Sequence, residues 1–242
     1  MAAASLLKVT DLHVSYGKRE VVKGVSFALN AGEILGIVGG SGSGKSTIAK
    51  ALAGLIRPSG GEVWVAPGVG MQMVFQDAAG SLNPRFTVRR TLEEVLRHGP
   101  RSRGRLPAAE EAEAVDGLLR RVGLSRAVLE QYPGELSGGQ CQRVSIARAL
   151  ACRSEILIAD EPVSALDVSV QARVLNLLRD LRRESGLSIL LIAHDLAVVK
   201  NVCDRVCVME DGLFADSGET EDVFEHPKSE CTRRLLEAVP RL

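Results

Sequence analysis

Ile34-Leu-Gly-Ile-Val38 leads directly into Gly39-Gly-Ser-Gly-Ser-Gly44, and a helical pattern opens at Lys45-Ser46. A short run that is apolar at every position must be covered on both faces, which suits a strand inside a parallel sheet. The glycines let the backbone curl until successive N–H groups point inward at an anion. The helix that follows adds the partial positive charge of its N-terminus. Lys45 can then reach the β- and γ-phosphates of a nucleotide, and the Ser46 hydroxyl can bind Mg²⁺. A glycine-rich turn could fit GxxxxGK[ST] by accident, but the strand before it and the helix after it argue against that.

A second apolar run, Ile156-Leu-Ile-Ala-Asp160-Glu161, ends in two acids and is stopped by Pro162. Asp160 is placed to bind the metal and Glu161 to polarise an attacking water. Alone, this would read equally well as a strand ending in a solvated acidic pair. A third site opens at Leu136-Ser-Gly-Gly-Gln140, ahead of Val144, Ile146, Ala147 and Leu150 at helical spacing. Ser137 and two glycines at a helix start make another anion site, or simply a capped helix. Gln76 after Met71-Gln-Met-Val-Phe75, His194 after Ser188–Ala193, and Tyr16 each have a dull alternative: a strand-end amide, a core histidine, a packed aromatic.

Taken together and in this order, the motifs resemble those of ATP-binding cassette (ABC) ATPases. The resemblance implies a P-loop NTPase core of α/β class, with a small antiparallel β subdomain and an inserted α-helical lobe. It implies ATP and Mg²⁺, with Gly39, Gly40, Ser41, Gly42, Ser43, Gly44, Lys45, Ser46 and Thr47 around the phosphates and Tyr16 stacked on adenine. Metal contacts fall to Ser46, Gln76 and Asp160, and catalysis to Glu161, His194, Gln76 and Lys45. Ser137, Gly138, Gly139 and Gln140 would bind the γ-phosphate held by an opposing subunit, with Asp167 of Ser164-Ala-Leu-Asp167 crossing the dimer interface.

Within that group, Gln76–Pro84 with Thr87-Val88 is similar to dipeptide, oligopeptide and nickel import ATPases. So are Tyr132–Leu136, Ser164–Gln171, His194–Val199 and the tail from His226 to Pro240. The expected function is powering a membrane importer by ATP-driven dimer closure. The expected partners are a second ATPase subunit (identical or not), permease subunits and, indirectly, an extracytoplasmic solute-binding protein. In this family a groove beside the residues after Gln76 receives a permease helix, which puts Leu82, Arg85 and Phe86 near the contact. The alternative is an ABC ATPase with a non-transport target in assembly, repair or regulation.

Composition agrees. The 242 residues carry 30 basic and 30 acidic side chains, which argues against a nucleic-acid partner. No apolar run approaches the ~20 residues needed to span a bilayer, and the N-terminus lacks signal-peptide character, so a peripheral place on the cytoplasmic face of the membrane is expected. Five cysteines show no CxxC or zinc spacing and read as reduced thiols. Residues 1–86 and 153–242 read as the core, and 87–152 as the helical lobe. The arginines at 85, 89, 90, 97, 101, 103 and 105 and the acids after Glu110 read as a solvated surface, and 99–107 as a loop.

Departures from the family pattern are Cys141, where a basic or polar residue is usual, Val163 for Thr or Ser, and Cys231 for Tyr. The Trp64–Met71 linker is short, which would trim the antiparallel subdomain. No cysteine-rich extension follows Pro240, so no iron–sulfur cluster is expected.

Overall fold

The computed structural model describes residues 4–102, 104 and 106–237. Arg103, Arg105 and the end of the tail read above lie outside the described residues. The described residues divide into two compact units, one formed by 4–73, 155–161 and 182–237, the other from 74–154 and 162–181.

The first unit holds two sheets. Strands β1 (Ser5–Tyr16), β2 (Arg19–Asn30) and β4 (Gly60–Val65) form a three-stranded antiparallel sheet in the order β2-β1-β4. On β1 the buried side chains are Leu7, Val9, Leu12 and Val14. The alternation slips by one at Asp11, whose φ is 50° and whose N–H donates to the Ser26 hydroxyl oxygen (2.9 Å). Such a bulge keeps the apolar face inward on both sides of an extra residue. Gly24 (φ 94°) supplies the compensating extra residue on β2, so Leu12 pairs Val25 and His13 pairs Lys23.

The larger sheet runs β5 (Met71–Val74), β6 (Ile156–Asp160), β7 (Ser188–Ala193), β3 (Ile34–Gly39), β8 (Arg205–Glu210), β9 (Leu213–Glu219). Strands β6, β7, β3 and β8 are parallel, and every residue of β3, β6 and β7 is buried. Their continuous apolar runs are what a doubly covered parallel sheet requires. Each buried Leu or Ile contributes about 1.5–3 kcal/mol through removal from water. The expected parallel sheet is therefore present, but β9 lies antiparallel to β8 at its edge. Helix α1 (Lys45–Leu52) leaves the end of β3, and α6 (Leu196–Lys200) leaves β7. Helices α7 (Thr220–Glu225) and α8 (Glu230–Glu237) follow β9.

The second unit is helical: α2 (Val88–His98), α3 (Ala108–Arg121) and α4 (Gly138–Ala151), with the start of α5 (Val168–Ser185). Thr87 caps α2 by accepting from Arg90 N–H (3.3 Å), and Val88, Leu92 and Leu96 bury one face at i, i+4, i+8 spacing. The charges here are not all a solvated surface. Arg97 grips Glu111 with one guanidinium edge, Nε donating to Oε1 (2.6 Å) and Nη2 to Oε2, tying α2 to α3 around a carboxylate whose side chain is only 8% exposed. Arg148 is half-buried on α4 and donates to the Ser81 carbonyl (2.6 Å). Leu82 is 4% exposed, so its own side chain offers almost no surface to a permease.

Candidate functional site

The end of β3, the loop behind it and α1 bring the first group of residues together. Gly42 and Gly44 take positive φ (79° and 113°) to turn the loop. Gly39 is required for a different reason: a Cβ there would lie 2.1 Å from the Met209 carbonyl oxygen, so only glycine lets β3 and β8 approach at this point. Lys45 folds back under the loop and donates to the carbonyl oxygens of Gly39 (2.8 Å) and Gly40 (2.9 Å). It is 4% exposed, and burial pulls its pKa below the usual lysine value, partly opposed by Glu161 and Asp160. A buried ammonium whose hydrogen bonds go to two carbonyl oxygens gains much from a phosphate oxygen. Beside it, the buried Ser43 hydroxyl has no hydrogen-bond partner, and positions Gly40 and Gly42 face open space. An orphaned donor and an open loop of N–H groups fit a phosphate chain.

The end of β6 adds the acids. Ser46 Oγ donates to Asp160 Oδ1 (2.8 Å), joining the start of α1 to the tip of β6. Burial holds the Asp160 carboxyl above the usual aspartate range, while the Ser46 hydrogen bond works against that. A hydroxyl and a carboxylate already in contact form a hard oxygen donor pair, the chemistry Mg²⁺ prefers.

Glu161 follows with φ 45°, a left-handed backbone held by its N–H donating to the Ile192 carbonyl (3.1 Å). That turn carries its carboxylate off the line of the strand, to 3.7 Å (Oε2) from His194 Nδ1 at the end of β7. Glu161 is 17% exposed at the side chain and His194 56%, so the pair opens toward solvent where a water can enter. Tyr16, at the last position of β1, is 49% exposed. The first unit thus gathers Gly39–Thr47, Asp160, Glu161 and His194.

Gln76, Ser137–Gln140 and Asp167 belong to the second unit. Gln76 Nε2 donates to Ser164 Oγ (3.2 Å). Ser137 caps α4: its Oγ accepts from Gln140 N–H (3.3 Å), and Gln140 Oε1 accepts from Ser137 N–H (2.8 Å). The Gln140 side chain is therefore engaged in building the helix start. Gly139 is also needed for packing, because a Cβ there would lie 2.3 Å from Val170 Cγ1 on α5. Asp167 Oδ1 accepts from Ser169 Oγ (2.7 Å) and Val170 N–H (3.0 Å), and these bonds hold its carboxyl below the usual aspartate range.

Ser43 and Ser164 lie inside motifs that the sequence shows, but the orphaned state of the Ser43 hydroxyl and the hold of Ser164 on Gln76 are visible only in the fold. All five cysteines are buried free thiols, and among the described residues no helix is long and apolar enough to cross a membrane.

Residues 22–164 match the family described as ABC transporter. The oligopeptide transport ATP-binding protein OppF of Haemophilus influenzae is 46% identical, over 91% of this chain and 70% of that protein. OppF of Escherichia coli is 44% identical, over 97% of this chain and 78% of its own length. AmiF of Streptococcus pneumoniae is an oligopeptide transport ATP-binding protein 42% identical over 97% and 82%. Among solved structures, cbiO1 of Clostridium perfringens, part of the transporter complex cbiONQ, superposes with a TM-score of 0.81 at 28% identity, covering 98% of this chain and 97% of that one. The dimeric post-hydrolysis state of the cassette MJ0796 bound to ADP and Pi gives 0.78 at 28%, covering 88% and 98%. A phosphate loop on α1, a carboxylate pair at the tip of β6 and a capped Ser-Gly-Gly-Gln helix start accompany these matches, and the chain belongs to the ABC transporter family as one of its ATP-binding, ATP-hydrolysing cassettes.

Proposed function

We propose that this cassette hydrolyses ATP to drive a peptide importer, working in a pair with a second ATPase subunit on the cytoplasmic face of a permease. The observation that carries the chemistry is the cluster at the tips of β3, β6 and β7. A buried, under-solvated Lys45, the Ser46–Asp160 contact and the strained Glu161 beside His194 stand within one unit. Lys45 exchanges its two carbonyl acceptors for β- and γ-phosphate oxygens, and the loop N–H groups and Ser43 take the remaining oxygens. Ser46, Asp160 and Gln76 would hold Mg²⁺, which when bound supplies charge neutralisation on the β- and γ-phosphates. Glu161 accepts a hydrogen bond from the attacking water and orients it, and His194 steadies the Glu161 carboxylate and contacts the γ-phosphate.

The helix start at Ser137–Gln140 lies in the other unit, and in this reading it serves ATP held by the paired subunit. Each site is then complete only in a dimer, and hydrolysis is linked to closing and reopening. The relatives above are oligopeptide transport proteins, which favours peptides over nickel complexes and over a non-transport target. Selection among peptides belongs to the permease and to an extracytoplasmic binding protein. Exposed Arg85, and Phe86 with the Arg90 guanidinium stacked 3.9 Å over its ring, are the side chains offered to the permease after Gln76. The test is peptide uptake in cells with the chromosomal copy replaced by wild type, Arg85→Glu or Phe86→Ala, with affinity capture of the chain from membranes. The expected result is lost uptake with basal ATPase activity within about twofold of wild type. Peptide uptake that survives deletion of the chain, with no integral membrane protein captured, would overturn the importer reading.

A further inference from the structure

We propose that Glu210, clamped by Arg234 of α8, recognises the sugar of the bound nucleotide by accepting hydrogen bonds from the ribose hydroxyls. This rests on the reading above, in which the phosphate loop holds ATP. Residues Gly40–Ser43 of that loop line a cavity of about 520 Å³, within the usual range for small-molecule sites. Its other walls include Arg19 of β2, Glu210, Asp211, and Cys231 and Arg234 of α8, all of the first unit. A ligand held by its phosphates at the loop therefore has space to extend toward Glu210.

Backbone hydrogen bonds set the place of Glu210 relative to the loop. Glu210 ends β8, Asp211 turns the chain with φ 48°, and Gly212 N–H donates to the Ser43 carbonyl oxygen (3.1 Å). The Gly212 carbonyl oxygen accepts from Lys23 N–H of β2 (2.9 Å). A Cβ at Gly212 would lie 2.5 Å from the Val21 carbonyl oxygen, so only glycine lets the turn sit this close to β2. The turn is thus stitched to the phosphate loop on one side and to β2 on the other.

The side chain is held from α8. Arg234 Nη2 donates to Glu210 Oε1 (2.9 Å), the two side chains being 64% and 43% exposed. An ion pair this open adds little to stability. What it does is aim a carboxylate that keeps lone pairs for further donors. Beside it Cys231 is 9% exposed, and burial, reinforced by the Glu210 carboxylate, keeps the thiol protonated. The charges decide which part of a nucleotide belongs here. Arg19 and Arg234 balance Glu210 and Asp211, and a further phosphate would face both carboxylates. A sugar is neutral and offers two adjacent hydroxyl donors, which a carboxylate also binds in dinucleotide-binding folds.

The test is equilibrium binding of ATP, 2′,3′-dideoxy-ATP and inorganic tripolyphosphate to the full chain with Mg²⁺. Wild type is expected to bind ATP about tenfold more tightly than the dideoxy analogue, the loss that follows removal of a charge-assisted hydrogen bond. Glu210→Ala is expected to bind the two alike. Arg234→Ala is expected to lose most of the preference, and Arg234→Lys to recover it by keeping a cation on α8. Asp211→Asn is expected to discriminate as wild type does. Tripolyphosphate affinity is expected to stay within about threefold of wild type in every variant, because its contacts are those of the loop. Equal affinity of wild type for ATP and the analogue, or a preference that survives Glu210→Ala, removes the assignment. Loss of the preference in Asp211→Asn as well removes the specific role of Glu210, and a full preference in Arg234→Ala removes the clamp. A wild type that binds neither ATP nor tripolyphosphate overturns the nucleotide reading itself, which failure of the sugar contact alone leaves standing.

Discussion

At Glu161 the chain adopts a left-handed backbone with φ 45°, a conformation that costs a non-glycine residue on the order of 1–3 kcal/mol. The hydrogen bond to Ile192 and the packing of β6 against β7 hold it there, and the result is a carboxylate beside His194 instead of one continuing the strand. If that carboxylate orients the water, Glu161→Gln keeps shape and hydrogen bonding but loses charge. ATP affinity, measured by equilibrium binding, is expected to stay near wild type while turnover falls by a factor on the order of 10²–10⁴. Lys45→Ala is expected to weaken binding itself, because its phosphate contacts are made in the ground and transition states alike. Asp160 makes the opposite compromise with stability. Its folded pKa is raised by burial, so between the unfolded value and that raised value the native state binds more protons than the unfolded one. Stability then falls as pH rises through that window, and at neutral pH the ionised carboxylate is a burden on the fold. Asp160→Asn is therefore expected to raise the Tm of the nucleotide-free protein at pH 7, to flatten its acid-range pH dependence, and to abolish hydrolysis. An unchanged or lower Tm in thermal melts across pH 4–7 would remove the burial argument.

The elements show where sequence reading succeeds and where it stops. Strands β3, β6 and β7 are legible because a strand buried on both faces must be apolar at every position, and few other structures leave that trace. Helix α4 is legible because Ser137 and Gln140 sit at capping-box spacing ahead of an apolar period. By contrast, Gly139 reads from sequence as a place for an anion, yet Val170 of α5 stands where its Cβ would go. A close approach between two helices thirty residues apart in sequence leaves no periodicity to detect. The same holds for Arg97 and Glu111, whose pairing across two helices looks in sequence like ordinary surface charge, and for Leu82, whose burial turns a docking candidate into core. The Gly139 contact is directly testable. Gly139→Ala places a methyl group within 2.3 Å of Val170 Cγ1, an overpacking expected to cost about 1–3 kcal/mol in denaturant melts. Adding Val170→Ala removes the opposing methyl and is expected to restore most of that loss, a coupling that independent sites do not show. Equal destabilisation with and without Val170→Ala would mean that the glycine serves the helix start alone.

For the whole molecule, the proposed reading assigns the two units complementary halves of one reaction. The first would hold a nucleotide's phosphates, with Ser46 and Asp160 for the metal and Glu161 to orient water. The second presents a capped helix start with two glycines and Asp167, whose side chain is already spent on the turn into α5. If Ser137–Gln140 serve ATP on a paired chain, ATP binding should drive association, because nucleotide held by both subunits stabilises the dimer over free monomers by mass action. Hydrolysis then reopens the interface by removing the γ-phosphate that both subunits share. A chain that binds ATP without hydrolysing it should stay closed, so Glu161→Gln with ATP is expected to appear as a dimer in light scattering and to return to monomer when nucleotide is removed. Adding Ser137→Arg to that variant fills the space before α4 with a bulky side chain. It should prevent the dimer while leaving ATP binding at the phosphate loop intact, since Ser137 and Lys45 belong to different units. For wild type acting with itself, specific activity should rise with protein concentration; if the partner is a different chain, activity should appear only on mixing. A monomer at all concentrations that hydrolyses ATP at a constant specific rate, unaffected by Ser137→Arg, would mean that each chain completes its own site.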